Sequence, residues 1–267
     1  LADALGMGKI SVGPPYFGLL FVLLMTPLVL LVPFGPLTRW QREQVSKPLS
    51  MLLPWAVLAL VLAAIAYFMA PQGQWKTAAG IFAAAWVGLG TLRFVWTRVR
   101  GNGRFTPEML GMTLAHFGIA VFLVGALLVE ALNVQRELAL KPGQTVEVGH
   151  YGFRFEGVDE VRGPNYLSDR GHVQVLHNDR PLTLLHPEKR AYASGGQVMT
   201  EAGIRPGLFG DVYVALGDRL GDDAWAVRVH IKPFVRWIWL GAALMALGGF
   251  VTAADKRFRR TYEAKTQ

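Results

Sequence analysis

The sequence predicts a polytopic α-helical membrane protein of about five transmembrane helices, with a small extracytoplasmic antiparallel β domain inserted before the last helix. Three observations lead to this fold class. Five long windows carry almost no charge, basic residues concentrate in alternate connections, and the longest connection shows β-type alternation. A soluble domain rarely contains even one such uncharged window.

The helices follow from the length of the uncharged windows, because a transmembrane helix needs about 20 mostly apolar residues. Only Arg236 interrupts the five windows, which cover residues 16–38, 49–75, 77–92, 109–129 and 234–254. The expected organisation is therefore four transmembrane helices in residues 1–133 (about 17–37, 50–70, 77–97 and 109–130), a periplasmic β domain in 134–232, and a last transmembrane helix with a basic cytoplasmic tail in 233–267. Because the chain begins with Leu1 and no signal peptide pattern follows, we expect further chain upstream.

The orientation follows from the lysines and arginines, since short loops rich in these residues stay in the cytoplasm. By contrast, Lys76 and Lys9 are the only basic residues of the second loop and the N-terminal segment. The first loop, the third loop and the C-terminal tail are rich in basic residues: Arg39, Arg42, Lys47, Arg98, Arg100, Arg104, Lys256, Arg257, Arg259, Arg260 and Lys265. Alternating crossings put these three segments on one side, so charge and parity agree. The net charge of +8 is mostly this topology signal.

The segment before the last helix predicts a β domain of six or seven strands. Apolar and polar residues alternate over residues 151–156 and 225–231, as expected for strands with one buried face. Asn178-Asp179 and Gly195-Gly196 predict turns. The chain contains no cysteine, so it has neither disulfides nor a thiolate nucleophile.

Among residues that carry chemistry, His116 is the only histidine within a predicted span. An ionisable group at membrane depth usually faces a bundle interior or a cofactor. Two interpretations stay open: a metal ligand, or a histidine hydrogen-bonded to a neighbouring helix. Gly111, Gly118 and Gly125 recur every seven residues, which favours close helix packing.

Other polar residues favour ordinary roles. Snorkelling towards the interface accounts for Arg93 and Arg236, and the alternative for Arg236 is contact with an acidic ligand group. The remaining histidines have no spacing typical of a zinc site, and surface positions are expected for them: His150, His172, His177, His186 and His230.

Several stretches resemble the C-terminal portion of the haem lyase subunit of cytochrome c-type biogenesis, the CcmF/NrfE family. They cover nearly the whole chain in order, and the most specific is Lys232-Pro233-Phe234-Val235-Arg236-Trp237-Ile238-Trp239. The others are residues 8–17, 111–118, 163–166, 187–192 and 199–202.

The resemblance implies a function in the bacterial inner membrane. The family joins haem to the two thiols of an apocytochrome c Cys-x-x-Cys-His motif on the outer face of the membrane. It implies His116 as an axial ligand of a membrane-embedded haem b, hence of haem iron, with quinol as a possible reductant. The implied partners are the haem chaperone CcmE, CcmH/CcmI-type subunits and the apocytochrome.

The resemblance is incomplete. The family's tryptophan-rich haem motif, its two external haem-binding histidines and the partner of His116 are absent from the sequence, so no catalytic residue is assigned and ligation by this chain alone is not expected. The alternatives are a haem or solute transporter and a structural scaffold of the assembly complex. A transporter is expected to show inverted repeats or paired interrupted helices, and neither is evident in the sequence.

Overall fold

A computed structural model describes residues 14–38, 46–70, 74–101, 105–196, 198–221 and 223–255. Several residues used in the topology prediction lie outside the described residues: Lys9, Arg39, Arg42, Arg104, Lys256, Arg257, Arg259, Arg260 and Lys265. So does most of the similar stretch at residues 8–17.

The described part of the chain contains five helices that are long and apolar enough to cross a membrane. They are α1 (Pro14–Leu31, continued by a 3-10 turn at Val32–Leu37), α2 (Ser46–Met69), α3 (Gln74–Arg100), α4 (Pro107–Leu132) and α5 (Val235–Ala253). Helix α3 continues beyond its uncharged window and carries Arg98 and Arg100 in its last turn. Cations at that position interact favourably with the helix dipole. The predicted class of five apolar helices with an inserted β domain is confirmed.

The inserted domain is a sandwich of two antiparallel sheets. Its strands are β1 (Val134–Leu140), β2 (Thr145–Val148), β3 (Tyr151–Arg162), β4 (Tyr166–His177), β5 (Arg180–Leu185), β6 (Glu188–Tyr192), β7 (Met199–Glu201), β8 (Gly203–Arg205), β9 (Gly210–Leu220) and β10 (Ala224–Pro233). One sheet has the order β1-β10-β9-β8. The other has the order β2-β3-β4-β6-β7, and β5 also pairs with β4.

The core of the sandwich is built from the residues that alternate in the sequence. Phe153 and Phe155 of β3 are fully buried, as are Val227 and Val229 of β10, while Arg154 and Arg228 are exposed. Residues of both sheets join one apolar cluster: Leu140, Val148, Phe153, Phe155, Val173, Val175, Leu185, Val212, Val214, Leu216, Val227, Val229 and Ile231. The predicted register of both strands is confirmed.

The turns and the number of strands have separate outcomes. Asn178 and Asp179 take positive φ values of 50° and 61° in the tight turn between β4 and β5, as their residue types predict. The expected six or seven strands are too few, because the described residues form ten. Two of the additional strands, β7 and β8, have only three residues each, which is too short for alternation to be visible in the sequence.

The chain divides into two compact units. The first unit comprises residues 1–64, 81–120 and 244–267, and the second comprises residues 65–80 and 121–243. The boundary passes through α2, α3, α4 and α5, so the second unit contains the sandwich together with one end of each of these helices. The expected division at residues 133/134 and 232/233 stays a prediction.

Candidate functional site

His116 lies on α4, partly buried, within the first unit. Its Nδ1 is 2.8 Å from the carbonyl oxygen of Met112, one turn earlier. A carbonyl oxygen can only accept a hydrogen bond, so Nδ1 carries the proton and donates it. In the neutral ring, Nε2 then holds a free lone pair. Histidines that ligate metals usually have this arrangement, with the second ring nitrogen bonded to a carbonyl or carboxylate.

Helices α4 and α5 pack closely beside His116. A Cβ atom added at Gly248 of α5 would lie 2.6 Å from the backbone nitrogen of Ala115 and would clash with the carbonyl oxygen of Gly111. Both are backbone atoms of α4 and have no rotamer with which to move aside. Small residues permit this approach in membrane helices, so the close packing predicted at Gly111 is confirmed.

The same two helices meet again at two other places, each within one unit. A Cβ at Gly125 would lie 2.5 Å from the backbone nitrogen of Ile238, so glycine is required there as well. At the other end, the buried Asp255 accepts a hydrogen bond at 3.3 Å from the amide of Glu108 in the first turn of α4. This contact satisfies a backbone N–H that an isolated helix leaves unpaired.

Arg236 makes the contact that sequence reasoning could not find. Its Nε donates to Oδ1 of Asp211 at 3.0 Å, and the same oxygen accepts from the backbone N–H of Gly207 at 2.8 Å. The Asp211 side chain is 8% exposed, so the carboxylate is buried with its charge paired. Arg236 therefore holds an acidic group of its own chain rather than only extending to the interface. Nothing in the local sequence links it to Asp211, which lies 25 positions earlier.

Two of the stretches that carry the family resemblance, residues 163–166 and 187–192, come together around Glu188. This carboxylate is 5% exposed and accepts hydrogen bonds from the Nε atoms of Arg170 and Arg190, at 2.6 and 2.8 Å. Burial alone would raise the pKa of Glu188, but the hydrogen bonds from Arg190 and Arg170 outweigh it and lower the pKa. Arg190 also lies over the ring of Tyr166, which packs edge-on against Tyr192. The cluster locks β4 to β6.

The histidines of the sandwich do not form a metal site. In the described ranges, no group of three or more His, Asp or Glu side chains is arranged to hold a metal ion. The rings of His172 and His186 pack edge-on with centroids 4.9 Å apart, and His172 Nε2 is 2.9 Å from Asp159 Oδ2. Burial, together with the charges of Lys232 and Arg228, lowers the pKa of His230.

The five apolar helices and the two sheets define a polytopic membrane protein with an inserted antiparallel β-sandwich. The profile described as "CcmF C-terminal beta-sandwich" matches residues 131–233. The chain is 43% identical over 263 residues to the cytochrome c-type biogenesis protein CcmF of Pseudomonas fluorescens, covering 96% of this chain and 40% of the relative. It is 38% identical to CcmF of Escherichia coli K12, again covering 96% and 40%.

Further similarities agree. The chain is 29% identical to the biogenesis protein NrfE of Haemophilus influenzae over 96% of its length and 40% of the relative's. A solved structure of the "Cytochrome c Heme Lyase CcmF" superposes with a TM-score of 0.72 over 91% of this chain and 41% of that one, at 20% identity, which supports the fold. The chain belongs to the CcmF/NrfE family of cytochrome c-type biogenesis proteins. It spans about two fifths of the length of the curated relatives that it matches.

Proposed function

We propose that the chain is part of a cytochrome c haem lyase and that His116 is an axial ligand of a haem b embedded in the membrane. The observation that carries this assignment is the hydrogen bond from His116 Nδ1 to the Met112 carbonyl. It selects the tautomer whose Nε2 lone pair is free for haem iron and fixes the plane of the ring. A haem b at this position would supply one-electron transfer, with quinol as the source of electrons.

The residues around His116 suit this role because they hold the histidine in place. Gly111 and Gly248 bring the α4 and α5 backbones into contact one turn from the ring, and Ala115 touches Gly248 directly. A ligand on a packed helix keeps its geometry better than one on a loop. The second axial ligand would come from the part of the protein that the chain does not contain, since no other histidine lies on a described helix.

The proposed reaction takes place on the side of the sandwich. Each thiol of the apocytochrome Cys-x-x-Cys-His motif adds across one haem vinyl group, so that sulfur bonds to one vinyl carbon and hydrogen to the other. The chain has no cysteine that would compete for haem. The haem chaperone CcmE and CcmH/CcmI-type subunits are the proposed partners, and the sandwich is the proposed surface for them.

The proposed location is the bacterial inner membrane, with the sandwich in the periplasm. Two basic residues that were assigned to the third loop, Arg98 and Arg100, lie in the last turn of α3. One helix, α4, follows them along the chain before the sandwich begins. The proposed orientation puts these arginines on the opposite side of the membrane from the sandwich, in agreement with the positive-inside rule for a cytoplasmic loop.

The test is the visible spectrum and haem content of the complete protein carrying His116→Ala. Loss of one axial ligand should convert a low-spin haem to a five-coordinate species or release it. The matched control is His177→Ala, because His177 also places Nδ1 against a backbone carbonyl, that of His150 at 3.1 Å, but lies on the sandwich. His177→Ala should leave the spectrum unchanged, and the amount of protein in the membrane should be similar for both variants.

A second variant separates ligation from packing. His116→Gly opens a space that added imidazole can fill as a free ligand, so the low-spin spectrum should return with imidazole. Unchanged low-spin haem at normal occupancy in His116→Ala would reject the assignment. His116 would then be a packing residue bonded to its own helix.

A further inference from the structure

The loop between β8 and β9 presents two large apolar side chains away from the rest of the sandwich. This β8–β9 loop consists of Pro206, Gly207, Leu208 and Phe209. Leu208 and Phe209 are each 64% exposed. Adjacent exposed leucine and phenylalanine side chains at the tip of a short loop are typical of a site that contacts a membrane or another protein.

Hydrogen bonds fix this loop to the start of α5. The backbone N–H of Phe234 donates to the carbonyl oxygen of Phe209 at 3.0 Å, and the indole N–H of Trp237 donates to the carbonyl oxygen of Leu208 at 3.0 Å. On the other side of the loop, Gly207 and Arg236 share the Asp211 carboxylate. The loop therefore has a defined height relative to the first turn of the helix, and all these residues belong to the second unit.

Aromatic contacts reinforce the same junction. The ring of Phe209 lies 6.4 Å from that of Phe234 and 6.3 Å from that of Trp237, and the latter two rings meet edge-on at 5.6 Å. Phe234 has a φ of 59°, an unfavourable backbone conformation for a bulky residue. Such a conformation persists only where the surroundings determine it, so the turn from β10 into α5 is held firmly rather than loosely.

The length of α5 gives the depth of the loop. Its 19 residues extend for about 28 Å at 1.5 Å per residue, close to the thickness of the hydrocarbon core. The first turn of α5 therefore lies at the boundary between hydrocarbon and headgroups, where tryptophan is enriched. Because Leu208 and Phe209 are bonded to this turn, their side chains lie at the same level.

We propose that the β8–β9 loop is a membrane anchor, in which Leu208 and Phe209 insert into the leaflet where α5 begins. The outermost part of the acyl chains covers the two side chains, at the same level as the Phe234–Trp237 pair. The sandwich is then fixed to the bilayer at a third point, in addition to its two connections to α4 and α5. This anchor does not depend on the ligand of His116.

Introduced cysteines can test the anchor, because the chain contains none of its own. An environment-sensitive fluorophore is attached at Leu208→Cys in the complete protein, reconstituted in phosphatidylcholine nanodiscs, and the labelled parent protein gives the background. Trp239→Cys, 75% exposed on α5, is the reference for lipid contact. Leu182→Cys, 38% exposed on β5 of the sandwich, is the reference for water.

The label at position 208 should be quenched by doxyl groups on the lipid acyl chains as strongly as the label at 239. Iodide in the aqueous phase should quench it several-fold less than the label at 182. A label at Phe209→Cys should behave like the one at 208, which keeps the test valid if one substitution perturbs folding. Equal iodide quenching at 208 and 182 would overturn the proposal. Protection from both quenchers would also overturn it, since protein would then cover the loop.

Discussion

The Nε atom of Arg236 lies 3.0 Å from Oδ1 of Asp211, so the first turn of a membrane-spanning helix is ion-paired to the start of strand β9. The pair is asymmetric, because the carboxylate is 8% exposed and the arginine side chain 49% exposed. The contribution of this ion pair to the stability of the fold therefore depends mainly on the buried carboxylate of Asp211. Removing Asp211 leaves the Gly207 N–H and the Arg236 guanidinium without this acceptor.

Asp211→Ala should destabilise the protein measurably. The Gly207 N–H and the Arg236 guanidinium lose a charged acceptor, a type of hydrogen bond that contributes about 1.5–3 kcal/mol, and the junction between β9 and α5 would loosen. Glu137→Ala is the matched control, because Glu137 pairs with Arg228 at 2.9 Å on the exposed face, with 62% of its side chain in solvent. Exposed pairs contribute about 0–1 kcal/mol. Thermal unfolding in detergent, followed by tryptophan fluorescence, should show a clear drop for Asp211→Ala only, and similar drops for both variants would contradict the assignment.

Gly248→Ala should separate α4 from α5, whereas Gly249→Ala should not. An added Cβ at Gly248 meets backbone atoms of Gly111 and Ala115, while at Gly249 nothing lies within 4 Å. Alanine gains about 1 kcal/mol over glycine in a helix, so Gly249→Ala should be neutral or stabilising. Forcing an extra carbon into a packed contact costs about 1–3 kcal/mol.

Two measurements distinguish these glycines. The unfolding temperature should fall for Gly248→Ala and should rise or stay constant for Gly249→Ala. In the complete protein, the haem spectrum should change for Gly248→Ala alone, because Ala115 and His116 are adjacent on α4. Identical behaviour of the two variants would mean that the α4–α5 contact does not position His116.

Glu188 should make the sandwich sensitive to acid. The pKa of its carboxyl is lowered in the folded protein from the usual 4.5, so below that value the unfolded chain binds more protons than the folded chain. The stabilisation is therefore complete above about pH 4.5 and is lost as the pH falls through the folded pKa.

The pH dependence can be assigned with two variants. Glu188→Gln should remove most of the acid-dependent loss of stability, and it should also lower stability at neutral pH, because Arg170 and Arg190 lose a charged partner. Glu160→Gln, at an exposed position of β3, should keep the parental pH profile. The pKa of His230 is lowered from its usual 6.5, chiefly by burial. An unchanged acid midpoint in Glu188→Gln would show that other groups control the transition.

The proposed orientation predicts opposite results for two reporter fusions. Gly101 follows α3, and Gly195 lies in a turn after β6. A phosphatase that is active only outside the cytoplasm should be active at Gly195 and inactive at Gly101. A cytoplasmic fluorescent reporter should give the complementary pattern. Phosphatase activity at Gly101 would reverse the topology and move the sandwich away from the side where the thioether reaction is proposed.

The parts of the fold that were predictable are those encoded by neighbouring residues. Uncharged windows identify the helices, and the alternation around Phe153 and Val227 gives the correct inward faces, because both signals repeat within one element. Asn178-Asp179 identifies its turn because these residue types tolerate positive φ. Strands β7 and β8 have only three residues each, which gives no period to detect.

The polar centres were only partly predictable. His116 is conspicuous in the sequence because a histidine within a membrane span is costly, but its bond to Met112 depends on a side-chain rotamer. The pairing of Asp211 with Arg236 and the gathering of Arg170, Glu188 and Arg190 are contacts between distant positions. A single sequence carries no information about which distant residues meet.

The sandwich begins and ends on neighbouring strands, since β1 pairs with β10 and Val134 lies opposite Ile231. Only Asn133 separates α4 from β1, and only Phe234 separates β10 from α5. Neither attachment includes a flexible linker. A tilt of the sandwich would therefore move the adjoining ends of α4 and α5 with it.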